Sequence, residues 1–128
     1  MRRAYVDASA IVKLSHAEPY SQALIDYLDT GEVQASTSII ADVEVRRALR
    51  RAGAASNEAV VGFYLIGLDE EIRAEAAQLG SPSVRALDAI HLATALAIAD
   101  DRLEFVTYDD RQAAAARDCG LQVVQPGR

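Results

Sequence analysis

Short runs of β-branched and aromatic residues alternate with helical stretches from one end of the chain to the other, and few folds accept that order. Tyr5-Val6 reads as a strand and Ala8 to Leu14 as the helix that follows it. Pro19 suits the first turn of a second helix, in which Ala23, Leu24, Tyr27 and Leu28 recur until Thr30-Gly31 stops it. Val33 to Thr37 is a second strand, and Ser38 caps a helix over Ile39 to Arg51 that Gly53 ends, with Ile40, Val43 and Ala48 inward. The later part of Val60 to Leu68 is a third strand, and a helix follows over Asp69 to Leu79, with the stripe Ile72, Ala76 and Leu79, until Gly80 to Ser83 breaks it. Leu87 to Ala99 is apolar on nearly every face, the pattern of a helix buried in its domain. Glu104 to Tyr108 is a fourth strand, Asp109 to Cys119 a last helix closed by Gly120, and Leu121 to Val124 a final strand. Strands joined through helices run parallel and are covered on both faces, which predicts a three-layer α/β/α sandwich with a mainly parallel central sheet.

The 128 residues suit one domain, 1–128, with no internal repeat, low-complexity tract or linker. At that length roughly two-thirds of the unfolded surface is buried, enough for a self-standing core. Met1-Arg2-Arg3 opens like a signal peptide, but Asp7 arrives before an apolar segment develops. The apolar run at Leu87 contains Asp88 and His91 and falls short of the ~20 residues a membrane span needs. No membrane role and a cytoplasmic location are therefore expected. Cys119 is the single cysteine and has no partner for an internal disulfide. The formal charge of −6 runs against the basic profile of a nucleic-acid binder, unless clustered carboxylates hold cations that reverse the local field.

Parallel α/β sheets bind ligands outside the carboxyl ends of their strands, and several acids fall there. Asp7 follows the first strand and Asp109 the fourth, Glu44 lies in the second turn of the helix after strand two, and Asp88 opens the buried helix. Each also has a plain structural explanation. Asp7, Asp88 and Asp109 suit helix N-caps, and Asp109 has Gln112 three residues on, as a capping box requires. Glu44 lies near the buried stripe and needs a partner, either Arg47 or a metal ion. Together, four carboxylates repel one another unless cations neutralise them. Oxygen ligands without a Cys or His set favour Mg²⁺, or Mn²⁺, over zinc, and such ions support phosphodiester hydrolysis.

Val6-Asp7-Ala8-Ser9-Ala10, Glu44-Val45-Arg46-Arg47-Ala48-Leu49, Leu87-Asp88-Ala89-Ile90-His91-Leu92-Ala93-Thr94-Ala95 and Phe105-Val106-Thr107-Tyr108-Asp109 with Gly120-Leu121 resemble, in order, PIN domains of the VapC toxin type. The Leu-Asp-Ala-Ile-His-Leu-Ala run is the most specific part. The resemblance implies a Mg²⁺-dependent endoribonuclease, the toxin of a bacterial toxin–antitoxin pair. Its acidic site would comprise Asp7, Glu44, Asp88 and Asp109, with RNA as substrate, a cognate antitoxin and a homodimer. Ser9 would orient a metal-bound water or the Asp7 carboxylate, and Thr107 would line the same floor; both fit equally as helix-start and strand residues. Asp110 stands beside Asp109 as an alternative ligand.

Arg46, Arg47, Arg50 and Arg51 form the densest basic group, fitted either to RNA phosphates or to local ion pairs on a solvated helix face. His91 is read as a hydrogen-bonded core histidine in preference to an acid–base residue. Two other function classes remain: a PIN-like binding module without catalysis, and a receiver-like signalling domain. The latter needs a lysine after a late strand, whereas the only lysine is Lys13.

Overall fold

A computed structural model of the chain describes residues 2–54 and 59–128. Its elements in order are β1 (Arg2–Val6), α1 (Ala8–Ser15), α2 (Ser21–Leu28), β2 (Val33–Ser38), α3 (Ile39–Arg51), β3 (Tyr64–Ile66), α4 (Glu70–Gln78), α5 (Ala86–Ala97), β4 (Leu103–Val106), α6 (Asp110–Asp118) and β5 (Gln122–Val124). The five strands form one sheet in the order β3-β2-β1-β4-β5, and every pairing is parallel. The sandwich expected from the alternation is the one found.

Side chains alternate across a strand, so β1 divides its residues between two cores. Ala4 and Val6 join Ala10, Ile11, Leu24, Val45 and Leu49 on the face covered by α1, α2 and α3. Tyr5 points the other way and packs with Leu92, Ala95, Phe105 and Ala116, under α5 and α6. The Tyr5 and Phe105 rings stack at 5.4 Å between centroids, because the β1–β4 register sets these residues side by side.

Three details depart from the sequence reading. The inner face of α3 is Ala41, Val45 and Leu49, whereas Val43 is 60% exposed. The stripe thus differs from the expected one, and apolar residues stand on both sides of it. Pro19 stands outside α2, whose N-cap is Tyr20 at φ 73°, held in that left-handed conformation with its ring stacked on Tyr108. β4 ends at Val106 and not at Tyr108, because the Thr107 hydroxyl accepts the Asp109 amide at 3.1 Å and turns the chain out of the sheet. Among the described residues no helix is long and apolar enough to cross a membrane.

Candidate active site

The carboxyl ends of β1, the central strand, and of its neighbour β4 open beside the starts of α1, α5 and α6. Asp7 leaves β1 as the N-cap of α1, so the capping explanation is correct for it. It is also almost wholly buried, at 4% exposure. Its Oδ1 accepts from the Ser9 hydroxyl at 2.7 Å and from the Ala10 amide at 3.2 Å. Ser9 Oγ accepts the Tyr108 amide at 3.1 Å and lies 3.3 Å from Thr107 Oγ1. The two hydroxyls therefore stitch the end of β1 to the turn that delivers Asp109. Burial pushes the Asp7 carboxyl above its ordinary range, although hydrogen bonds from Thr107, Ser9 and Ala10 oppose the rise.

Glu44 meets a partner that the sequence reading did not name. Its Oε1 lies 2.6 Å from His91 Nε2, and the Nδ1 of the same ring lies 2.6 Å from the Tyr5 hydroxyl. The Ser38 amide donates to that hydroxyl at 3.1 Å, which directs the phenol's own proton to Nδ1 and leaves Nε2–H to donate to Glu44. His91 is 2% exposed, so it is the hydrogen-bonded core histidine expected. Its place in the site was not foreseen. Arg47 is not the bonded partner of Glu44. The available signal was that a half-buried glutamate needs a donor while His91 sits one turn from Asp88 on a buried helix.

Asp88 occupies the first turn of α5 and does not cap it, since Arg85 is the N-cap. Burial raises its carboxyl above the ordinary range, and the negative charges of Asp109 and Glu44 add to the rise. Asp88 is thus close enough to both Asp109 and Glu44 to feel their charge. Asp109 is exposed and caps α6, with Oδ1 accepting from Arg111 N at 2.9 Å and Gln112 N at 3.1 Å. The reciprocal half of the expected capping box is missing. Gln112 instead turns its Nε2 to the Asp88 carbonyl at 3.1 Å and ties α6 to α5. Asp110 is drawn away into an ion pair with Arg128 at 2.8 Å.

The arginines of α3 divide by environment. Arg46 pairs with Asp42 one turn earlier at 2.6 Å, and Arg50 is exposed near the helix end. Arg47 and Arg51 line a small cleft with Ser9 and Glu44. Among the described residues no three His, Cys, Asp or Glu side chains stand close enough together to hold a metal ion by themselves. Hard oxygen donors around an open space fit an ion held by a few carboxylates that keeps part of its water, as Mg²⁺ does.

A family model described as the PIN domain matches residues 4–118. Ribonuclease VapC46 of Mycobacterium tuberculosis is 41% identical over 130 residues, covering 98% of this chain and 99% of that protein. Ribonuclease VapC35 of the same species is 39% identical over 131 residues, with 97% of each chain covered. Among solved structures, a toxin–antitoxin complex from Klebsiella pneumoniae has a TM-score of 0.72 at 23% identity, covering 96% of this chain and 97% of that one. Mycobacterium tuberculosis VapC20, a sarcin–ricin loop cleaving toxin, has a TM-score of 0.73 at 14% identity, covering 96% and 99%. Both solved structures share the fold.

Proposed function

The chain belongs to the PIN-domain family, and from that premise we propose that it is a metal-dependent endoribonuclease, the toxin component of a toxin–antitoxin pair. The observation that carries the reading is the gathering of acids at the carboxyl end of the sheet: Asp7 is buried where β1 ends, and Asp88 lies close enough to Asp109 and Glu44 to feel both charges, with the Asp7 and Asp88 carboxyls pushed up. Asp7, Glu44, Asp88 and Asp109 would hold Mg²⁺, with Mn²⁺ as substitute. Such an ion supplies an activated water and neutralises charge at the scissile phosphate.

The protein's own groups have distinct tasks. Asp7 is the most fixed of the acids, because its Oδ1 is pinned by Ser9 and by the α1 amide. Its remaining acceptor capacity would serve a bound cation. Glu44 is aimed by His91, which is held in turn by Tyr5 and so by the central strand. Asp109 is preferred to Asp110 as the fourth acid, since Arg128 engages the latter. Divalent cations on these acids would also offset the formal charge of −6 where the chain meets RNA. An antitoxin that occludes this centre is the expected partner. The exposed Ile39 and Val43, one turn apart on α3, offer an apolar face to a second copy.

The test is cleavage of a mixed single-stranded RNA with Mg²⁺ or Mn²⁺. Internal cuts that vanish with excess EDTA and return with added metal are expected. Undiminished cutting in EDTA removes the metal from the mechanism, and no cutting under any condition leaves the binding-module reading in its place. His91→Gln is expected to lower stability by about 1–3 kcal/mol, the cost of leaving buried hydrogen-bonding groups unmet. Its turnover at saturating metal should stay within about tenfold of wild type, less than a general acid–base residue contributes. Denaturant melts and a metal titration on the same sample separate these effects. A loss as large as that from the carboxylates would give the histidine a share in the proton transfers.

A further inference from the structure

A groove of about 680 Å³ begins at Asp88 and runs between the Gly80–Arg85 segment and α6. That volume lies well within the range of ~300–1,000 Å³ typical of small-molecule sites. Arg85 and Arg111 stand at its Asp88 end: the Arg85 charge acts on Asp88, and Arg111 lies two residues after Asp109. Both side chains are exposed, and neither forms an ion pair among the described residues. Glu75 and Asp118 line the groove near Cys119, on whose thiol both charges act. Gln112 forms part of the wall between. It is 1% exposed, its amide is fixed by the bond to the Asp88 carbonyl, and its Oε1 is buried without a hydrogen-bond partner. Buried amide oxygens are rarely left unmet in folded proteins.

The groove is thus cationic where it touches the acidic centre and rich in acceptors further in. A nucleotide has the complementary polarity, with an anionic phosphate at one end and, in adenine, cytosine and guanine, an exocyclic amino donor at the other. We propose that this groove holds the nucleotide adjoining the cleaved phosphodiester, its phosphate between Arg85 and Arg111 and its base directed at Gln112, and that it favours bases bearing an amino group over uracil. The assignment rests on the nuclease reading above and adds to it a substrate subsite. The acceptors at the inner end repel a second phosphate, so the groove takes one nucleotide and the strand turns out of it.

The experiment uses the full chain and an RNA that wild type is first shown to cut. Oligonucleotides spanning the mapped cut are made with cytidine or uridine at each flanking position. Binding is read by fluorescence anisotropy on the Asp7→Asn background, over a series of salt concentrations, and cleavage on the otherwise wild-type background. Arg85→Ala and Arg111→Ala should each weaken binding about tenfold, as for loss of one hydrogen bond to a charged group. Each should also lower the slope of log affinity against log salt by about 0.7, the value for one phosphate contact on a single strand. Arg102→Ala, in the turn before β4 at the opposite end of the strands, is the control. At one flanking position cytidine should be preferred over uridine by about three- to tenfold, and Gln112→Met should remove that preference. Should Gln112→Met fail to fold, Glu75→Gln with Asp118→Asn, both exposed positions, should reduce the same preference. Equal binding, equal salt slope and equal base preference in all variants would overturn the subsite. So would a loss confined to binding of a protein partner, which would make the groove a protein-docking surface. If wild type cuts no RNA, it is the nuclease reading itself that falls.

Discussion

Asp7→Asn is expected to reduce metal-supported RNA cleavage by at least about a hundredfold while leaving the fold intact. The magnitude follows from the fact that even changes around metal ligands typically cost about ten- to a hundredfold, and Asp7 is proposed as a ligand itself. Retention of the fold follows from its other task. Asparagine caps helices about as well as aspartate, and an amide oxygen at the Oδ1 position still accepts from Ser9 and Ala10. The substitution also removes a buried carboxyl already pushed above its ordinary range. Circular dichroism unchanged from wild type, beside cleavage lowered at saturating Mg²⁺, is the expected pair of results. Near-normal cleavage would take Asp7 out of the centre and leave it as a helix cap.

The second large effect is an opposition between chemistry and stability at Asp88. Asp88→Asn should lose cleavage by a similar factor, yet in EDTA it should melt at a higher temperature than wild type. Removing one charge relieves the repulsion that Asp109 and Glu44 exert on it. Asp88 does not cap α5, so no capping bond is lost with the charge. In a domain of this size a gain of about 1 kcal/mol moves the midpoint by roughly 3–5 °C.

The pH dependence gives the same argument a sign. A carboxyl whose folded-state pKa is raised binds more protons folded than unfolded, so its contribution favours folding below the unfolded value, about 3.9, and is lost as pH rises through the folded value. Asp100, Glu104 and Asp110 are lowered and act in the opposite sense, so the sign is read from the difference: the stability advantage of Asp88→Asn over metal-free wild type should widen as pH rises across that window. Added Mg²⁺ should restore the wild type, by about 2.7 kcal/mol at a hundred times the dissociation constant, and the variant by less. Identical midpoints in EDTA and identical shifts with Mg²⁺ would exclude Asp88 from any metal site.

The layered sheet was legible because two periodicities alternate cleanly, and so was the place of Asp7 and Asp109 in the turns that leave β1 and β4 for the next helix. What stayed hidden was pairing across distance. Glu44 and His91 are 47 residues apart, and nothing local distinguishes a histidine that orients a carboxylate from one that fills space. Gln112 obeyed the spacing of a capping box and then bonded to α5 instead, because the Asp88 carbonyl lay within its reach. The α3 stripe was misplaced because apolar residues stand on both sides of the true one, and Ile40, Val43 and Ala48 fall within one broad helical face although Ala41, Val45 and Leu49 make the tighter stripe. Asp109 and Asp110 became distinguishable only through Arg128, at the far end of the sequence.

The placement of β1 between β2 and β4 carries a consequence for synthesis. The strand that delivers Asp7 leaves the ribosome well before its β4 neighbour, which spans Leu103–Val106, and Asp109 comes later still. At about 5–20 residues per second, the interval between making Asp7 and making Asp109 is roughly 5–20 s. Throughout that time the nascent chain has an open edge where β4 belongs and only part of its acidic centre. Products of interrupted translation that stop before Leu103 inherit the same defect, so the capacity to cut RNA arrives late and all at once.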